Sequence, residues 1–268
     1  MHMKLFFSIC VALSAYLCTG LNALEKASYS TITPGVLKIG SSFSNPPFIN
    51  RQKAGLEVDL LNAICKQLKL RCEWVEAAPN QIMEGLDNQQ YDLIADGLVM
   101  EEGHQQVIDF SIPYLVTHLS LVVSKLKNSS IKSVQELRGK SVGVLSRTAE
   151  EEGARQLLND RQIGKMVIYP FGDMNEALKD LEKGQIDAFL LLYPHAYLLV
   201  KEKGSLKILG SLPKPIQKMA FGFSKRNPEF LAAFNRALQQ VQRDGTYAKI
   251  YKKWFHEAPA EESPNSRR

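Results

Sequence analysis

Two cysteines carry the most definite chemistry in the sequence. Cys65 and Cys72 lie seven positions apart, and no cluster of histidines accompanies them. This pattern fits a single disulfide better than a metal site, because a structural metal site needs about four ligands at suitable spacing. A pair of reduced cysteines in the core is the alternative interpretation. The choice between the two depends on whether the chain is exported to an oxidising compartment.

The N-terminal residues indicate export. Lys4 precedes an apolar run from residue 5 to residue 17, which is too short to span a bilayer, since a spanning helix needs about 20 residues. Small residues follow, up to Ala23. We interpret residues 1–23 as a signal peptide that is cleaved after Ala23, which would also remove Cys10 and Cys18. An uncleaved membrane anchor is the alternative.

Composition and motifs exclude several classes of function. The chain is 45% hydrophobic and 23% charged, which is typical of a globular protein. Its net charge of +5 is modest, and no basic run interleaved with aromatic residues indicates a nucleic-acid partner. The sequence contains no glycine-rich phosphate loop, no HExxH and no GxSxG. We therefore predict no cofactor, no metal and no nucleic acid.

One helix organises the first half of the chain. The stretch from Gly55 to Cys72 is predicted to contain an amphipathic helix, because its apolar residues recur at helical spacing. That stripe comprises Val58, Leu61, Ile64, Cys65 and Leu68. Glu57 and Asp59 fall outside the stripe, in the first turn, where the positive end of the helix dipole favours negative charge.

Strands and helices alternate along the rest of the chain. Strands are predicted at 36–40, 73–75, 91–95, 140–144, 166–171 and 187–192. Helices are predicted at 80–86, 133–137, 149–158, 174–183, 193–200, 228–241 and 246–254. Successive strand, helix and strand units predict mostly parallel sheets with helices on their faces, so the fold class is α/β.

Two apolar segments divide the chain into lobes. Residues 119–125 and 219–225 end alike in Ser-Lys, and we interpret both as strands that cross between two lobes. The first lobe is then 36–122 with 221–258, the second lobe is 123–220, and the polar tail 259–268 is predicted to be disordered. Ligand sites in open α/β sheets lie beyond the carboxyl ends of the strands, so we expect the site in the cleft between the lobes.

Seven fragments in order resemble a known family. They are LKIG followed by NPPF, GLEVDLLNAICKQL, YDLIADG, VIDFSIPY, ELRGKSVGVL, GQIDAFLL and DGTYAKIYKKWF. From Leu37 to Phe255 the chain resembles the extracellular solute-binding proteins, family 3, which serve polar amino-acid ABC transporters. The resemblance implies a type II periplasmic binding protein, a monomer that clamps a small polar solute between two lobes and delivers it to an inner-membrane permease. It also implies that Cys65 and Cys72 form a disulfide.

The pocket implied by this resemblance departs from the family pattern. His104 stands where an arginine clamps the carboxylate of the solute, and Val99 stands at a nearby Ser or Thr position. Leu192 replaces the aspartate that takes the ammonium group. Asn45 and Pro79 hold positions of the aromatic residues that sandwich the solute. We therefore expect standard amino acids to bind poorly.

Polar residues remain at other matching positions. These are Ser42 and Phe43 in the first loop, Asp96 and Gly97 after the strand at 91–95, and Arg147, Thr148 and Glu150 after the strand at 140–144. Backbone N–H groups near Gly97 and Thr148 could receive an anionic group, with Arg147 supplying positive charge. In the alternative interpretation, Arg147 pairs with the neighbouring glutamates and His104 lies on a surface loop.

Two other functions stay open on the same fold. Some dehydratases resembling cyclohexadienyl dehydratase use it, and Glu150, Glu151 or His104 could then act as a general acid or base. A ligand sensor without a role in transport is the other possibility. We favour binding over catalysis because no acid–base pair stands out in the sequence. His195 begins a predicted helix beside the cleft, and we interpret it as a helix-surface residue.

Overall fold

The computed structural model describes residues 29–128, 130–212 and 216–256. The predicted signal peptide and the predicted C-terminal tail lie outside these residues. Helices in the described part are Leu56–Leu68 (α1), Ile82–Asp87 (α2), Glu102–Gln105 (α3), Ala149–Asn159 (α4), Met174–Lys183 (α5), Tyr193–Glu202 (α6), Pro228–Arg243 (α7) and Thr246–Phe255 (α8), with a 3₁₀ turn at Val134–Leu137. Strands are Val36–Ser41 (β1), Arg71–Glu76 (β2), Leu93–Ile94 (β3), Asp109–Phe110 (β4), Leu115–Thr117 (β5), Leu119–Ser124 (β6), Ser141–Leu145 (β7), Lys165–Tyr169 (β8), Ala188–Leu192 (β9), Leu206–Ser211 (β10), Gln217–Met219 (β11) and Gly222–Phe223 (β12).

The first lobe is built on a sheet with the strand order β2-β1-β3-β12-β4. β1 pairs in parallel with β2 and β3, whereas β12 is antiparallel to β3 and β4. Because side chains alternate along a strand, Leu93 faces the core under α1 while Ile94 packs with α2 on the opposite face. α7 and α8 pack against α1, so the end of the chain completes the first lobe.

The second lobe is built on a sheet with the strand order β10-β6-β9-β7-β8. β7 is parallel to β8 and β9, and β6 is antiparallel to β9 and β10. Helix α4 contributes Ala154 and Leu157 to the core on one face. Helices α5 and α6 cover the other face. The α/β class and the two-lobed architecture are therefore confirmed.

A two-stranded antiparallel ribbon joins the two sheets. β5 leads from the first sheet into β6, and β11 leads back into β12, with Leu115 opposite Met219 and Thr117 opposite Gln217. The joining strands lie a few residues before the predicted segments. Residues 119–124 form a fully buried strand of the second sheet, because β6 is sandwiched between β9 and β10. The lobe limits at 122 and 221 stay a prediction.

The disulfide fastens α1 to the following strand. Cys65 and Cys72 are joined, with their Cα atoms 6.2 Å apart. Helix α1 ends at Leu68, Lys69 adopts a left-handed conformation, and the chain enters β2 at once. The disulfide interpretation of the two cysteines is thus confirmed. No helix in the described part of the chain is long and apolar enough to cross a membrane.

Candidate functional site

The loop after β1 surrounds the carboxylate of Asp96. Oδ1 of Asp96 accepts hydrogen bonds from the Ser41 hydroxyl at 3.0 Å, the Ser42 backbone N–H at 3.1 Å and the Ser42 hydroxyl at 2.8 Å. Burial raises the pKa of Asp96, and these donors oppose that rise. Asp96 follows β3 and Ser42 follows β1, so neighbouring parallel strands deliver both residues to one edge of the sheet.

A second carboxylate lies beneath this loop. Glu57 is fully buried in the first turn of α1. The Gly97 N–H lies 3.1 Å and 3.2 Å from its two oxygens, and the Tyr114 hydroxyl donates to Oε1 at 2.7 Å. Burial, together with the nearby charge of Asp96, raises the pKa of Glu57 to about 8. The sequence placed Glu57 outside the buried stripe; this interpretation was wrong, because the α1 N-terminus is enclosed by the loops after β1 and β3.

Gly97 is required by its surroundings. Its φ of +69° lies in the left-handed region, where residues with a β-carbon are strained. A β-carbon there would lie 2.6 Å from the Asn45 side-chain nitrogen and 2.7 Å from the Phe48 ring. Gly97 therefore lets the loop after β3 pack directly on the loop after β1, while its N–H donates a hydrogen bond to Glu57.

A hydrogen bond crosses between the lobes at Asn45. Nδ2 of Asn45 donates to the Asp96 carbonyl oxygen at 2.6 Å, and Oδ1 lies 2.8 Å from Nε2 of His195 in α6. The His195 ring also contacts Phe48 edge to face, with ring centroids 5.4 Å apart. Burial lowers the pKa of His195 to about 4. The interpretation of His195 as a helix-surface residue was wrong, because its ring is held against the first lobe.

In the second lobe, Thr148, Glu150 and Leu192 come together. Thr148 caps α4, accepting a hydrogen bond from the Glu151 N–H at 3.3 Å. Glu150 is only 8% exposed, and its Oε1 accepts from the Leu192 N–H at 3.1 Å. Burial raises the pKa of Glu150, and the charge of Glu101 adds to the rise. A side chain of α4 thus brings a carboxylate to the end of β9.

Arg147 lies at the edge of this group. Its side chain is exposed, its φ is +60°, and its backbone N–H donates to Glu151 at 2.8 Å. Glu151 is held further by Arg155, whose guanidinium lies 2.6 Å from its Oε1. Both oxygens of Glu151 are therefore engaged within the first turns of α4.

Short helix α3 carries His104, and the residue before it, Glu101, lies near Glu150 of the second lobe. Glu101 is the residue before α3, and burial raises its pKa while the neighbouring His104 lowers it. His104 is partly buried, and its Nδ1 is a buried atom without a hydrogen-bond partner. Val99 precedes this helix and bridges to Met219 of the hinge ribbon. The first lobe therefore presents a carboxylate and an imidazole near the hinge.

Two of the predicted positions lie apart from these groups. Phe43 packs into a small cluster with Ile49 and Val58, and Lys53 lies over its ring at 5.3 Å. Pro79 is exposed before α2. Among the described residues, no group of His, Cys, Asp or Glu could hold a metal ion.

Sequence reasoning missed Glu57 and His195. The Gly-Leu-Glu sequence at the start of α1 fits the family pattern, and this signal could have marked Glu57 as more than a dipole partner. No local pattern identifies His195, because its contact with Asn45 joins residues 150 positions apart.

Two α/β lobes joined by a two-stranded ribbon are the architecture of two-lobed binding proteins, a class whose lobes close around a solute by a hinge motion. The chain belongs to the bacterial extracellular solute-binding proteins, family 3, whose model matches residues 37–257. It has the type II periplasmic binding protein fold.

Relatives of this family include proteins with different named ligands. The L-cystine-binding protein TcyJ of Escherichia coli (strain K12) is 27% identical over 225 residues, covering 82% of this chain and 83% of the relative. The lysine/arginine/ornithine-binding periplasmic protein of the same strain is 27% identical over 255 residues, covering 91% of this chain and 95% of the relative. Among solved structures, the ancestral amino acid-binding protein AncCDT-1, a precursor of cyclohexadienyl dehydratase, is 27% identical with a TM-score of 0.69, covering 82% of this chain and 95% of that one.

Proposed function

We propose that this protein is a periplasmic receptor of an ABC importer, which binds a small amino-acid-like solute between its lobes and delivers it to an inner-membrane permease. The observation that carries the proposal is the family match over residues 37–257 on two lobes with a two-stranded hinge. The named relatives bind cystine or cationic amino acids. The protein acts as a monomer, since solute capture needs only the two lobes of one chain.

Export and the disulfide support a periplasmic location. Residues 1–23 are proposed to be a cleaved signal peptide, and an oxidising compartment maintains the Cys65–Cys72 bond. Titration of free thiols in the mature protein tests this location, because the two cysteines stay paired only in an oxidising compartment. Two free thiols after unfolding without reductant, in protein taken directly from the periplasm, would contradict it.

The charge of the cleft favours a solute that carries a cationic group. Glu150 of the second lobe and Glu101 of the first lobe are close enough for the charge of one to raise the pKa of the other. A positive group of the solute between them would relieve that repulsion. His104 holds the position of the missing arginine, and Arg147 is an exposed cation on the other lobe.

Calorimetry on protein freed of endogenous solute tests this proposal. The protein is unfolded, washed and refolded, then titrated with the twenty standard amino acids, ornithine, citrulline and L-cystine. The carboxylates of Glu150 and Glu101 change the expectation drawn from the sequence that standard amino acids bind poorly. We now expect binding of at least one cationic or cystine-like compound, and a smaller radius by small-angle scattering when it is saturated, because the lobes close as a hinge. Absence of binding across the panel would contradict the proposed solute class. An unchanged radius at saturation would contradict the clamp.

Two variants distinguish His104 from Arg147 as the residue that binds an anionic group of the solute. If His104 has taken the role of the arginine, His104→Ala weakens binding of the best compound while Arg147→Ala leaves it unchanged. If Arg147 supplies the charge, the pattern reverses. Lys132→Ala, at an exposed position of the second lobe, is the control and is expected to leave binding unchanged.

A dehydratase-like enzyme is the second candidate. The raised pKa of Glu150, to which the charge of Glu101 contributes, favours it, since a carboxyl group with a raised pKa can act as a general acid. Glu151 is less suited to act as a general acid, because its two oxygens accept hydrogen bonds from the Arg147 backbone N–H and the Arg155 guanidinium. Dehydration of a cyclohexadienyl substrate, lost in Glu150→Gln, would establish this activity. Binding of a panel compound without dehydration of the cyclohexadienyl substrate would favour the receptor.

A further inference from the structure

We propose that His195 is a solute-binding residue: Asn45 of the first lobe holds its Nε2–H, and its Nδ1 accepts a hydrogen bond from an N–H group of the solute. The inference rests on the proposed receptor function and adds a residue that determines specificity. The recognised chemical class is an N–H donor, such as an ammonium, guanidinium or amide group.

The first step of the argument is the orientation of Asn45. The two ends of an amide side chain are distinguished by their partners. One end of Asn45 lies 2.6 Å from the Asp96 carbonyl oxygen, which can only accept a hydrogen bond. That end must therefore be the NH₂ group. The other end, Oδ1, is an acceptor and faces His195 at 2.8 Å.

The second step is the tautomer of His195. Because Oδ1 of Asn45 accepts, Nε2 of His195 must carry the proton and donate. Burial lowers the pKa of His195 to about 4, so the ring is neutral at neutral pH. A neutral ring with its proton on Nε2 leaves a lone pair on Nδ1. The hydrogen-bonded chain from Asp96 through Asn45 thus makes Nδ1 an acceptor.

The third step is the rigidity of the ring. Phe48 is fully buried and meets the imidazole edge to face, with an interplanar angle of 88°. The hydrogen bond at Nε2 and this ring contact fix both the position and the plane of His195. Among the contacts of the described residues, Nδ1 of His195 has no hydrogen-bond partner. A fixed acceptor without a protein partner is suited to a ligand.

The fourth step is the place of this contact in the cleft. His195 lies three positions after Leu192, whose N–H bonds the Glu150 carboxylate. Asn45 and Leu192 are two positions at which the chain departs from the family pattern; the first makes the cross-lobe contact, and the second lies three positions before His195 in the chain. Nδ1 and Glu150 are both acceptors, so this side of the cleft fits N–H donors and disfavours a carboxylate.

Calorimetry with three variants tests the inference, using whichever compound of the panel above binds the wild-type protein most tightly. His195→Leu removes both hydrogen bonds and is expected to weaken binding by roughly 10- to 100-fold. His195→Gln keeps a donor and an acceptor and is expected to retain most of the affinity. His256→Leu is the control: His256 also joins the lobes, 2.6 Å from Lys201, and its loss is expected to leave affinity unchanged.

A spectroscopic measurement on the wild-type protein checks the tautomer independently of folding in the variants. Imidazole ¹⁵N NMR is expected to show His195 protonated on Nε2 alone, with the Nδ1 resonance shifting when the compound is added. A proton on Nδ1, or unchanged affinity in His195→Leu while the wild-type protein binds, would overturn the inference and leave the receptor function intact. Failure of the wild-type protein to bind any panel compound would instead contradict the proposed solute class, and this inference with it.

Discussion

Replacing Glu57 by glutamine is expected to change how stability depends on pH. Glu57 is fully buried, and its pKa is raised to about 8 in the folded protein, from an ordinary value of 4.5. The folded state therefore holds a proton on Glu57 at pH values where the unfolded chain has released it. Glutamine has nearly the same shape, and its oxygen can still accept from Tyr114, but it does not titrate.

The sign follows from proton binding. Where the folded state binds more protons than the unfolded state, the free energy of unfolding falls as pH rises, by about 1.4 kcal/mol per pH unit per group. The contribution of Glu57 to the free energy of unfolding is fully present below its ordinary pKa of 4.5. It is lost as the pH rises from 4.5 to about 8. His195 acts in the opposite direction, because its lowered pKa makes stability rise between about pH 4 and its ordinary value of 6.5. The interval from 6.5 to 8 therefore isolates Glu57 from His195.

Over that interval the wild-type protein is expected to lose about 2 kcal/mol more than Glu57→Gln. Urea denaturation at closely spaced pH values measures the free energy of unfolding of both proteins. Glu76→Gln is the matched control, since Glu76 is exposed at the end of β2. Other buried carboxylates with raised pKa values, such as Asp96, remain in both proteins, so the difference reports Glu57. Equal pH slopes for the wild-type protein and Glu57→Gln would refute the reasoning.

Two further substitutions test the scaffold of the site. Cys72→Ser opens the loop closed by Cys65, and because that loop is short we expect a loss of about 2.5 kcal/mol in urea unfolding, with the difference vanishing in reductant. A difference that persists in reductant would show that the loss comes from packing and not from the bond. Gly97→Ala is expected to lower the free energy of unfolding by about 2 kcal/mol, because a positive φ and a clash with Asn45 act together, whereas Gly103→Ala, with open space around it, should be nearly neutral. Equal effects of the two alanines would contradict the close packing of the loops.

Local patterns were sufficient for most of the regular elements. Helix α5 has the predicted limits, Met174–Lys183, because its apolar spacing is regular and Gly184 ends it in a left-handed conformation. Strands β5 and β11 were not predicted as a ribbon, since each has only three residues and they pair across about a hundred positions. Strand β10 was also missed, because its charged and glycine residues interrupt the alternation expected of a strand.

The candidate site was predictable only in part, for a related reason. Ser42 and Asp96 follow adjacent strands, so the rule that sites form at the carboxyl ends of strands places them together from the sequence alone. The carboxylate that accepts the hydrogen bond of the Leu192 N–H could not be predicted from the sequence in the same way. Glu150 reaches the N–H of Leu192 from another helix, and under the proposed function it compensates for the aspartate that the resemblance leads one to expect there. A substitution at one position therefore does not show that the charge is absent from the site.

This compensation leads to a prediction about charge selectivity. If Glu150 serves the cationic group of the solute, Glu150→Gln removes one negative charge while the glutamine oxygen can still accept from the Leu192 N–H. Arginine and citrulline are a matched pair of probes, because they differ chiefly in the charge of the terminal group. We expect Glu150→Gln to weaken arginine binding by roughly 10- to 100-fold and to leave citrulline binding nearly unchanged, as hydrogen bonds to charged groups are the stronger ones.

The control for this prediction lies in the same helical turn. Glu152 is exposed, so Glu152→Gln changes the net charge equally without altering a buried carboxylate. Titration calorimetry of both variants at low and high salt separates a direct contact from long-range attraction, because salt screens exposed charges far more than buried ones. A loss of arginine affinity that is equal in the two variants and vanishes in high salt would mean that general acidity of α4, and not Glu150, selects the solute. A loss confined to Glu150→Gln that persists in high salt would place the cationic group at the end of β9, where a side chain of α4 has replaced the aspartate of the strand.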